Sequence, residues 1–419
     1  MSETRFWNGY ANMGVLRDDG VTIVRGRGST VYDDRGRAYL DAIGGLWYGN
    51  VGWGRDEIAD TVARQMRELP VYQTFEFYKN RPAETLASRI AALAPMRDAR
   101  VFLVPGGGSD AIDTAAKLAR AYWRVTGKPE KHVVLSREFA YHGMNAYGTS
   151  LGGIPANLAV AGTIVPDVER VPWSDASAVR QAIERHGPDK VAAFFCEPVI
   201  GAGGVLHPPQ GYLADVQAAC REHDVLFVVD EVITGFGRLG EWFGAQRFSL
   251  EPDLMTCAKG LTSGYLPLGA VIVGERVAEP FWRRGTTNVF RHGYTYGGHP
   301  AACAAALANL DILEREGLLA RVRRLESVLA AALRPLSDHP VVAEVRSGLG
   351  LLAAVELKAE RLAERPELVA RAVVDARQRG VLTRGLRGVA LQVSPPFVIT
   401  EPEIDETARV FAETLDALA

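Results

Sequence analysis

Two polar side chains, Asp230 and Lys259, each stand directly after a short apolar run in the sequence. Residues 225–229 lead into Asp230, and residues 254–258 lead into Lys259, which a glycine follows. Short apolar runs of this kind predict buried parallel strands. Open α/β sheets bind ligands at the carboxyl ends of their strands. We therefore expect a carboxylate and an amine to meet in one crevice.

That pair of side chains suits one cofactor chemistry. A partly desolvated lysine amine forms a Schiff base with an aldehyde. A carboxylate facing a pyridine nitrogen keeps the nitrogen protonated and makes the ring an electron sink. Lys259 and Asp230 are thus candidates for a pyridoxal phosphate (PLP) site. Two residues alone favour the simpler alternative of a strand-end acid and a solvated lysine, so the rest of the chain has to decide.

Length and composition restrict the class of protein. The chain has 419 residues, 47% hydrophobic and 23% charged, with a net charge of −3, which allows a large core and two domains. There is no basic excess for nucleic acid, no run of membrane-spanning length and no signal-peptide pattern at the N-terminus. The four cysteines lack metal-ligand spacing and are expected to be buried free thiols in the cytoplasm.

A glycine-rich loop at 106–108 opens directly into a helix after a predicted strand at 101–105. Backbone N–H groups at a helix N-terminus bind phosphate, and Ser109 adds a hydroxyl there. The alternative is that Ser109 caps the helix and the glycines only permit the turn. The spacing matches neither a P-loop nor a dinucleotide-binding loop.

Strands and helices alternate through most of the chain, which predicts a mostly parallel sheet with helical cover. From about residue 335 the pattern changes to a separate α+β unit, and the first 45 residues contain a small hairpin or meander. The other predicted elements are helices at 82–98, 211–223 and 366–379, and strands beginning at 132 and covering 268–275, 381–384 and 390–394.

Six motifs in this order resemble the class III aminotransferases, PLP enzymes of the type I fold, over essentially the full length. They are Gly108-Ser109-Asp110-Ala111, Tyr141-His142-Gly143, Glu197-Pro198, Asp230-Glu231-Val232, Lys259-Gly260 and Thr295. The resemblance implies a large PLP-binding domain at 61–325 with a mostly parallel seven-stranded sheet. It also implies a smaller α+β domain made of residues 1–60 and 326–419.

The resemblance also implies roles at the cofactor ring. Lys259 would bind PLP covalently as a Schiff base and later move the proton, while Asp230 would pair with the pyridine nitrogen. Tyr141 would stack over the ring, with His142 beside it among the cofactor-binding residues. Val232 would pack under the ring.

Further roles follow for the phosphate and for the assembly. Gly108 and Ser109 would hold the phosphate, although Gly107 stands where many family members have serine. Thr295 would reach the phosphate of the neighbouring subunit, so the site would be shared in a homodimer or a tetramer built from it. Glu197 would orient the surroundings of Asp230 rather than act as the base.

Within the family, the segments GLWYGNVGWGR and HGYTYGGHP look like the ω-transaminases that use pyruvate as acceptor. This implies transfer of an amino group from a primary amine or ω-amino acid to a keto acid by a ping-pong mechanism. Trp47 would wall the substrate pocket. Arg384 would clamp the substrate carboxylate; Arg387 is a second candidate, and two solvated loop arginines are the alternative.

Three other functions are compatible with parts of this pattern. A decarboxylase, aminomutase or epimerase would use the same cofactor and lysine, because the pocket selects the bond that breaks. A non-catalytic PLP-binding subunit would need neither Lys259 nor Asp230. A dehydrogenase would leave Lys259 without a role and has the wrong glycine spacing. The sequence leaves the donor amine open among taurine, β-alanine, diamines, aryl alkylamines and amino-sugar precursors.

Overall fold

The computed structural model describes residues 5–162 and 164–419. The strands are β1 Ile23–Arg27, β2 Thr30–Asp33, β3 Ala38–Asp41, β4 Arg100–Val104, β5 Val133–Arg137, β6 Val168–Val171, β7 Val191–Cys196, β8 Leu226–Asp230, β9 Leu254–Cys257, β10 Gly269–Val273, β11 Val342–Arg346, β12 Ala353–Leu357, β13 Val381–Leu382, β14 Gly385–Leu386 and β15 Ala390–Val393.

The helices surround these strands. They are α1 Met13–Asp19, α2 Gly44–Trp47, α3 Asp56–Glu68, α4 Arg81–Leu93, α5 Gly108–Val125, α6 Ala146–Leu151, α7 Pro155–Ala161, α8 Ala176–His186, α9 Tyr212–Glu222, α10 Gly244–Arg247, α11 Glu275–Trp282, α12 Pro300–Arg315, α13 Leu318–Leu333, α14 Ala359–Glu364, α15 Leu368–Gln378 and α16 Glu401–Asp416, with short 3₁₀ turns at Lys259–Leu261 and Arg334–Asp338. In the described part of the chain, no helix is both long and apolar enough to cross a membrane.

The central sheet has seven strands in the order β4-β10-β9-β8-β7-β5-β6. It is parallel except at β10, which runs antiparallel to both of its neighbours. Strands β7 and β8 are buried along their whole length, which explains their continuous apolar sequences. The expected mostly parallel seven-stranded sheet is confirmed.

Pairing between β8 and β9 brings the two key residues to the same edge. Asp230 lies opposite Thr256 in parallel register, and Lys259 follows the end of β9 by two residues. Both side chains therefore leave the sheet at its carboxyl edge, as the sequence predicted.

Two four-stranded sheets complete the fold, with the orders β1-β2-β3-β13 and β11-β12-β15-β14. Strand β3 pairs in parallel with β13, so segments from the two ends of the chain share one sheet. This agrees with the expectation of a smaller α+β unit made from both termini.

Some local elements differ from the predictions. The strand predicted at 381–384 ends at Leu382, and the next strand, β14, belongs to another sheet. The helix predicted at 82–98 ends at Leu93, because Ala94 precedes a proline and is extended. Strand β6 was not predicted; it is a short edge strand with two charged residues among four. Helix α1, which precedes the strands of the predicted hairpin, was not predicted either.

Candidate active site

A cavity of about 430 Å³ opens at the carboxyl edge of the central sheet. This volume suits a small organic ligand. The cavity is lined by eight residues named from the sequence: Gly108, Ser109, Tyr141, His142, Glu197, Asp230, Val232 and Lys259. The structure therefore brings most of the candidate site together in one place.

Lys259 combines a strained backbone with an unusual acidity. Its φ of 41° lies in the left-handed region, which non-glycine residues adopt at a cost. Part of the residue faces the cavity, but burial lowers the pKa of its amine to about 8, against the opposing effects of Asp230 and Glu197. At pH 7 about a tenth of the amine is therefore uncharged and able to act as nucleophile and base, far more than for a lysine of ordinary pKa.

Asp230 is buried and fixed by three donors. Its Oδ1 accepts hydrogen bonds from Val232 N (3.0 Å) and Thr256 Oγ1 (3.1 Å), and its Oδ2 lies 2.8 Å from His142 Nδ1. A carboxylate has about four acceptor positions. One position thus remains for a donor in the cavity, such as a protonated pyridine nitrogen.

Glu197 acts on the backbone around the cavity. Its Oε1 accepts from Tyr141 N at 3.1 Å, and its Oε2 accepts from Gly201 N at 2.9 Å. Burial raises its pKa. Both carboxyl oxygens are engaged by backbone donors, so the geometry suits an orienting group rather than a free base.

The N-terminus of helix α5 lines one side of the cavity, where its backbone N–H groups suit an anion. Gly107 has a φ of 110°, and a Cβ added to Gly108 would lie 2.8 Å from Val232 Cγ1. Glycine is therefore required where the loop passes Val232. Ser109 is not the helix cap: its Oγ accepts from Met144 N at 3.0 Å and keeps its own hydrogen for a ligand. The capping alternative is wrong.

Trp47 and Arg384 lie at the rim, beyond the lining of the cavity. The Trp47 ring centroid is 5.7 Å from Lys259 Nζ and 5.2 Å from Arg384 Cζ. Trp47 is 3% exposed, and its Nε1 finds no hydrogen-bond partner among the described residues. Burial lowers the pKa of Arg384, which also lies within electrostatic reach of Tyr141.

Arg387 lies elsewhere. Its guanidinium carbon sits 4.2 Å from the centroid of the Phe139 ring, and its nearest charged groups are Glu356 and Arg346. Of the two candidate arginines, only Arg384 influences the Lys259 amine. Burial lowers the pKa of both, so neither is a fully solvated loop arginine.

Thr295 is not brought to the cavity of its own chain. It is exposed in the loop before α12, and the neighbouring Tyr294 bonds back to Thr114 Oγ1 at 3.2 Å. Thr295 is therefore the candidate cofactor-binding residue that does not line the cavity with the other eight.

Several residues of the site were missed by sequence reasoning. Leu46 and Ile233 line the cavity and carry no sequence signal that singles them out; Tyr48, the neighbour of Trp47 in the same aromatic loop, lines it too. Tyr10 donates to Met144 Sδ at 2.9 Å, and its phenol contributes to raising the pKa of Tyr141, after the larger effect of burial. Nothing in the sequence near Tyr10 indicated this contact.

The residues present fit PLP. The low-pKa amine suits its aldehyde, the open acceptor position of Asp230 suits its ring nitrogen, and the α5 N-terminus with the free Ser109 hydrogen suits its phosphate. The fold and the site together define a PLP-dependent enzyme.

The chain belongs to the class-III aminotransferases, whose family model matches residues 15–415. These enzymes depend on PLP and exchange an amino group between an amine and a keto acid. The chain is 41% identical to a probable aminotransferase of Mycobacterium tuberculosis, with 94% of this chain and 89% of the relative covered. It is 39% identical to the putrescine–pyruvate aminotransferase of Pseudomonas aeruginosa, with 96% and 92% covered.

Solved structures agree with this assignment. A transaminase from the marine bacterium Virgibacillus matches with a TM-score of 0.93 and 35% identity, covering 99% of this chain and 97% of that one. The ω-transaminase of Pseudomonas jessenii, in complex with PMP, matches with a TM-score of 0.92 and 33% identity, covering 99% and 96%.

Proposed function

We propose that this protein transfers the amino group of a primary amine or ω-amino acid to a keto acid, with pyruvate as the acceptor, in two alternating half-reactions. The observation that carries the proposal is the placement of Lys259 and Asp230 in one cavity with Arg384 at its rim. The names of relatives support the acceptor: one acts on putrescine and pyruvate, and another, 36% identical, on β-alanine and pyruvate.

Bound PLP supplies an aldehyde that condenses with amines and a ring that accepts the electrons released when a Cα proton leaves. Lys259 would hold the cofactor through Nζ, the amine that the cavity presents to its aldehyde. Once released, the uncharged Nζ of Lys259 would act as the base that accepts the substrate Cα proton and as the acid that returns it. Asp230 keeps the ring nitrogen protonated, and His142 and Thr256 hold the Asp230 carboxylate in place.

The remaining residues bind and orient. Tyr141 and Val232 line the cavity and would pack against the cofactor ring, while the α5 N-terminus and Ser109 would hold its phosphate. Arg384 binds the carboxylate of the keto acid through a forked, charge-assisted hydrogen bond. When an uncharged amine occupies the pocket, the guanidinium stays against the Trp47 ring.

The test is an amine panel with the PLP-loaded protein and pyruvate. We expect loss of the visible absorbance of the bound cofactor with the amine and formation of alanine with pyruvate. Release of carbon dioxide, or product formation without any keto acid, would instead identify another PLP enzyme of the same fold. A protein that stays colourless with PLP would end the proposal.

We further propose that the site is completed by a second copy of the chain, with Thr295 reaching the phosphate of the partner's cofactor. Thr295 is exposed, and large apolar side chains are exposed in the same part of the surface, including Trp282, Val289 and Tyr296. Mixing K259A with a T295E variant tests this, because one site of a mixed dimer would combine an intact Lys259 with an intact Thr295. Restored activity is expected; additive inactivity of the mixture would contradict the shared site.

The four cysteines are buried and unpaired. Free thiols are typical of a reducing compartment, and we propose the cytoplasm as the location. Recovery of the protein from a periplasmic or extracellular fraction would contradict this.

A further inference from the structure

The backbone at Lys259 is held in a conformation that the residue would not adopt alone. Its φ of 41° lies in the left-handed region, and the 3₁₀ turn Lys259–Leu261 that it begins is only three residues long. Such strain persists only where the surroundings determine it. Two buried asparagines from distant parts of the sequence contact this turn.

Asn309, on helix α12, contacts the turn from one side. Its Nδ2 donates to the carbonyl oxygens of Gly260 (2.8 Å) and Leu261 (3.0 Å). The side chain is fully buried. Both hydrogens of the amide are therefore spent on the backbone that directly follows Lys259, and water cannot replace them.

Asn50, from the loop after Trp47, contacts the turn from another direction. Its Nδ2 donates to Phe236 O at 3.0 Å and occupies the space of a Gly260 side chain, since a Cβ added there would lie 2.3 Å from that nitrogen. Its Oδ1 accepts from Arg238 Nη2 at 2.8 Å. Asn50 is thus wedged between the loop that follows Asp230 and the turn that follows Lys259.

Arg238 fixes Asn50 in turn. It is fully buried, and its Nη1 donates to Pro395 O (2.7 Å) and Leu351 O (3.1 Å), both in the C-terminal part of the chain. Burial lowers the pKa of Arg238 to about 9, with Asp41 opposing. A buried arginine bonded mainly to carbonyl oxygens is costly, which indicates that the position has a use beyond packing.

We propose that Asn50 and Asn309 are positioning residues that hold Lys259 in its strained conformation for covalent attachment of PLP, and that Arg238 fixes Asn50 for this purpose. The proposal rests on the proposed function, because it concerns attachment to Lys259. In the described part of the chain, neither asparagine side chain hydrogen-bonds to a residue assigned to the phosphate or the ring. Substitution of either asparagine should therefore slow the covalent attachment of PLP to Lys259 without weakening noncovalent cofactor binding.

The experiment compares the N50A and N309A variants in two assays. The first measures how fast apoprotein mixed with PLP becomes trapped at Lys259 by borohydride, with peptide mass spectrometry to locate the adduct. The second measures the affinity for pyridoxamine phosphate, which binds without Lys259. We expect trapping to slow by about tenfold in each variant, because the reacting amine is displaced from its productive position. The affinity for pyridoxamine phosphate should match that of the wild type.

The control is T414A, which removes the hydrogen bond of another buried side chain, from Thr414 Oγ1 on helix α16 to Asp375 Oδ2 on α15 at 2.8 Å. It should lower the melting temperature without slowing trapping. Because N50A can fail by misfolding, G260A serves as a second variant: it keeps every hydrogen-bonding side chain but places its Cβ against Asn50. It too should slow trapping.

Trapping at the wild-type rate in folded N309A and G260A would overturn the inference, and so would an equal loss in both assays. Absence of trapping at Lys259 in the wild type would instead refute the proposed function. The two failures are therefore distinguishable.

Discussion

The floor of the cavity and its rim are held by different kinds of contact. At the floor, Asp230 and Glu197 have their oxygens fixed by hydrogen bonds from the central sheet and its loops. At the rim, the guanidinium of Arg384 lies over the face of the Trp47 ring, a contact that is less directional than a hydrogen bond. Directional bonds fix the position of a group, whereas ring contacts let a guanidinium move at small cost. Fixed groups at the floor suit a reaction that is the same for every substrate, whereas a movable Arg384 at the rim suits substrates with and without a carboxylate.

The largest effect is expected from removing the amine at the floor. K259A should lower turnover by about 10⁴-fold or more, since covalent attachment and proton transfer both use this group. Steady-state assays with an amine and pyruvate measure it. Unimpaired transamination by K259A would contradict the role of Lys259 in cofactor attachment and proton transfer.

The second prediction concerns the Asp230 charge. D230N keeps the shape but removes the carboxylate, and kcat should fall by about 10³-fold because a preorganised charge is lost. T256V removes only one hydrogen bond to Asp230 Oδ1, and we expect a loss of about fivefold. Equal losses in the two variants would contradict the assigned role of the charge.

Much of the floor could be predicted from the sequence because local patterns encode it. The apolar runs before Asp230 and Lys259 predicted strands of one parallel sheet, and β8 and β9 are paired as expected. The glycine loop before helix α5 could be predicted because it follows a predicted strand directly, and the alternative that Ser109 caps this helix is wrong.

The rim and the supports of Lys259 could not be predicted in this way. Trp47 has a φ of 62°, and its contact with Arg384 depends on how two distant segments meet. Arg238 reaches Asn50 across 188 positions of sequence. No local periodicity carries such contacts, so only the folded chain reveals them.

The third prediction sharpens the rim. R384A should raise KM for pyruvate by about 30-fold, the value of a charge-assisted hydrogen bond, and leave KM for an uncharged amine nearly unchanged. R387A is the matched control, because Arg387 packs on Phe139 instead. A larger rise in KM for pyruvate in R387A than in R384A would show that Arg387, not Arg384, binds the substrate carboxylate.

The fourth prediction is a pH dependence. Burial lowers the pKa of Lys259 to about 8, so the amine is protonated below that pH and uncharged above it. The rate of cofactor attachment to apoprotein should rise about tenfold from pH 6 to 7 and level off above the pKa. Stopped-flow absorbance measures the profile. A rate that keeps rising to pH 10 would indicate an amine of ordinary pKa.

The smallest effect is expected at Tyr10. Y10F removes the hydroxyl that contacts Met144 Sδ and Tyr141, and KM for pyruvate should rise by about threefold. Cofactor affinity should not change, because the floor does not use Tyr10. Loss of bound PLP from Y10F would show that cofactor binding at the floor depends on Tyr10, which would contradict this prediction.

The most direct test of the central claim is a crystal structure of the protein grown with PLP. The account predicts continuous electron density from Lys259 Nζ into the cofactor and a ring nitrogen about 3 Å from the Asp230 carboxylate. Cofactor attached to another lysine, or a ring whose nitrogen faces away from Asp230, would contradict it.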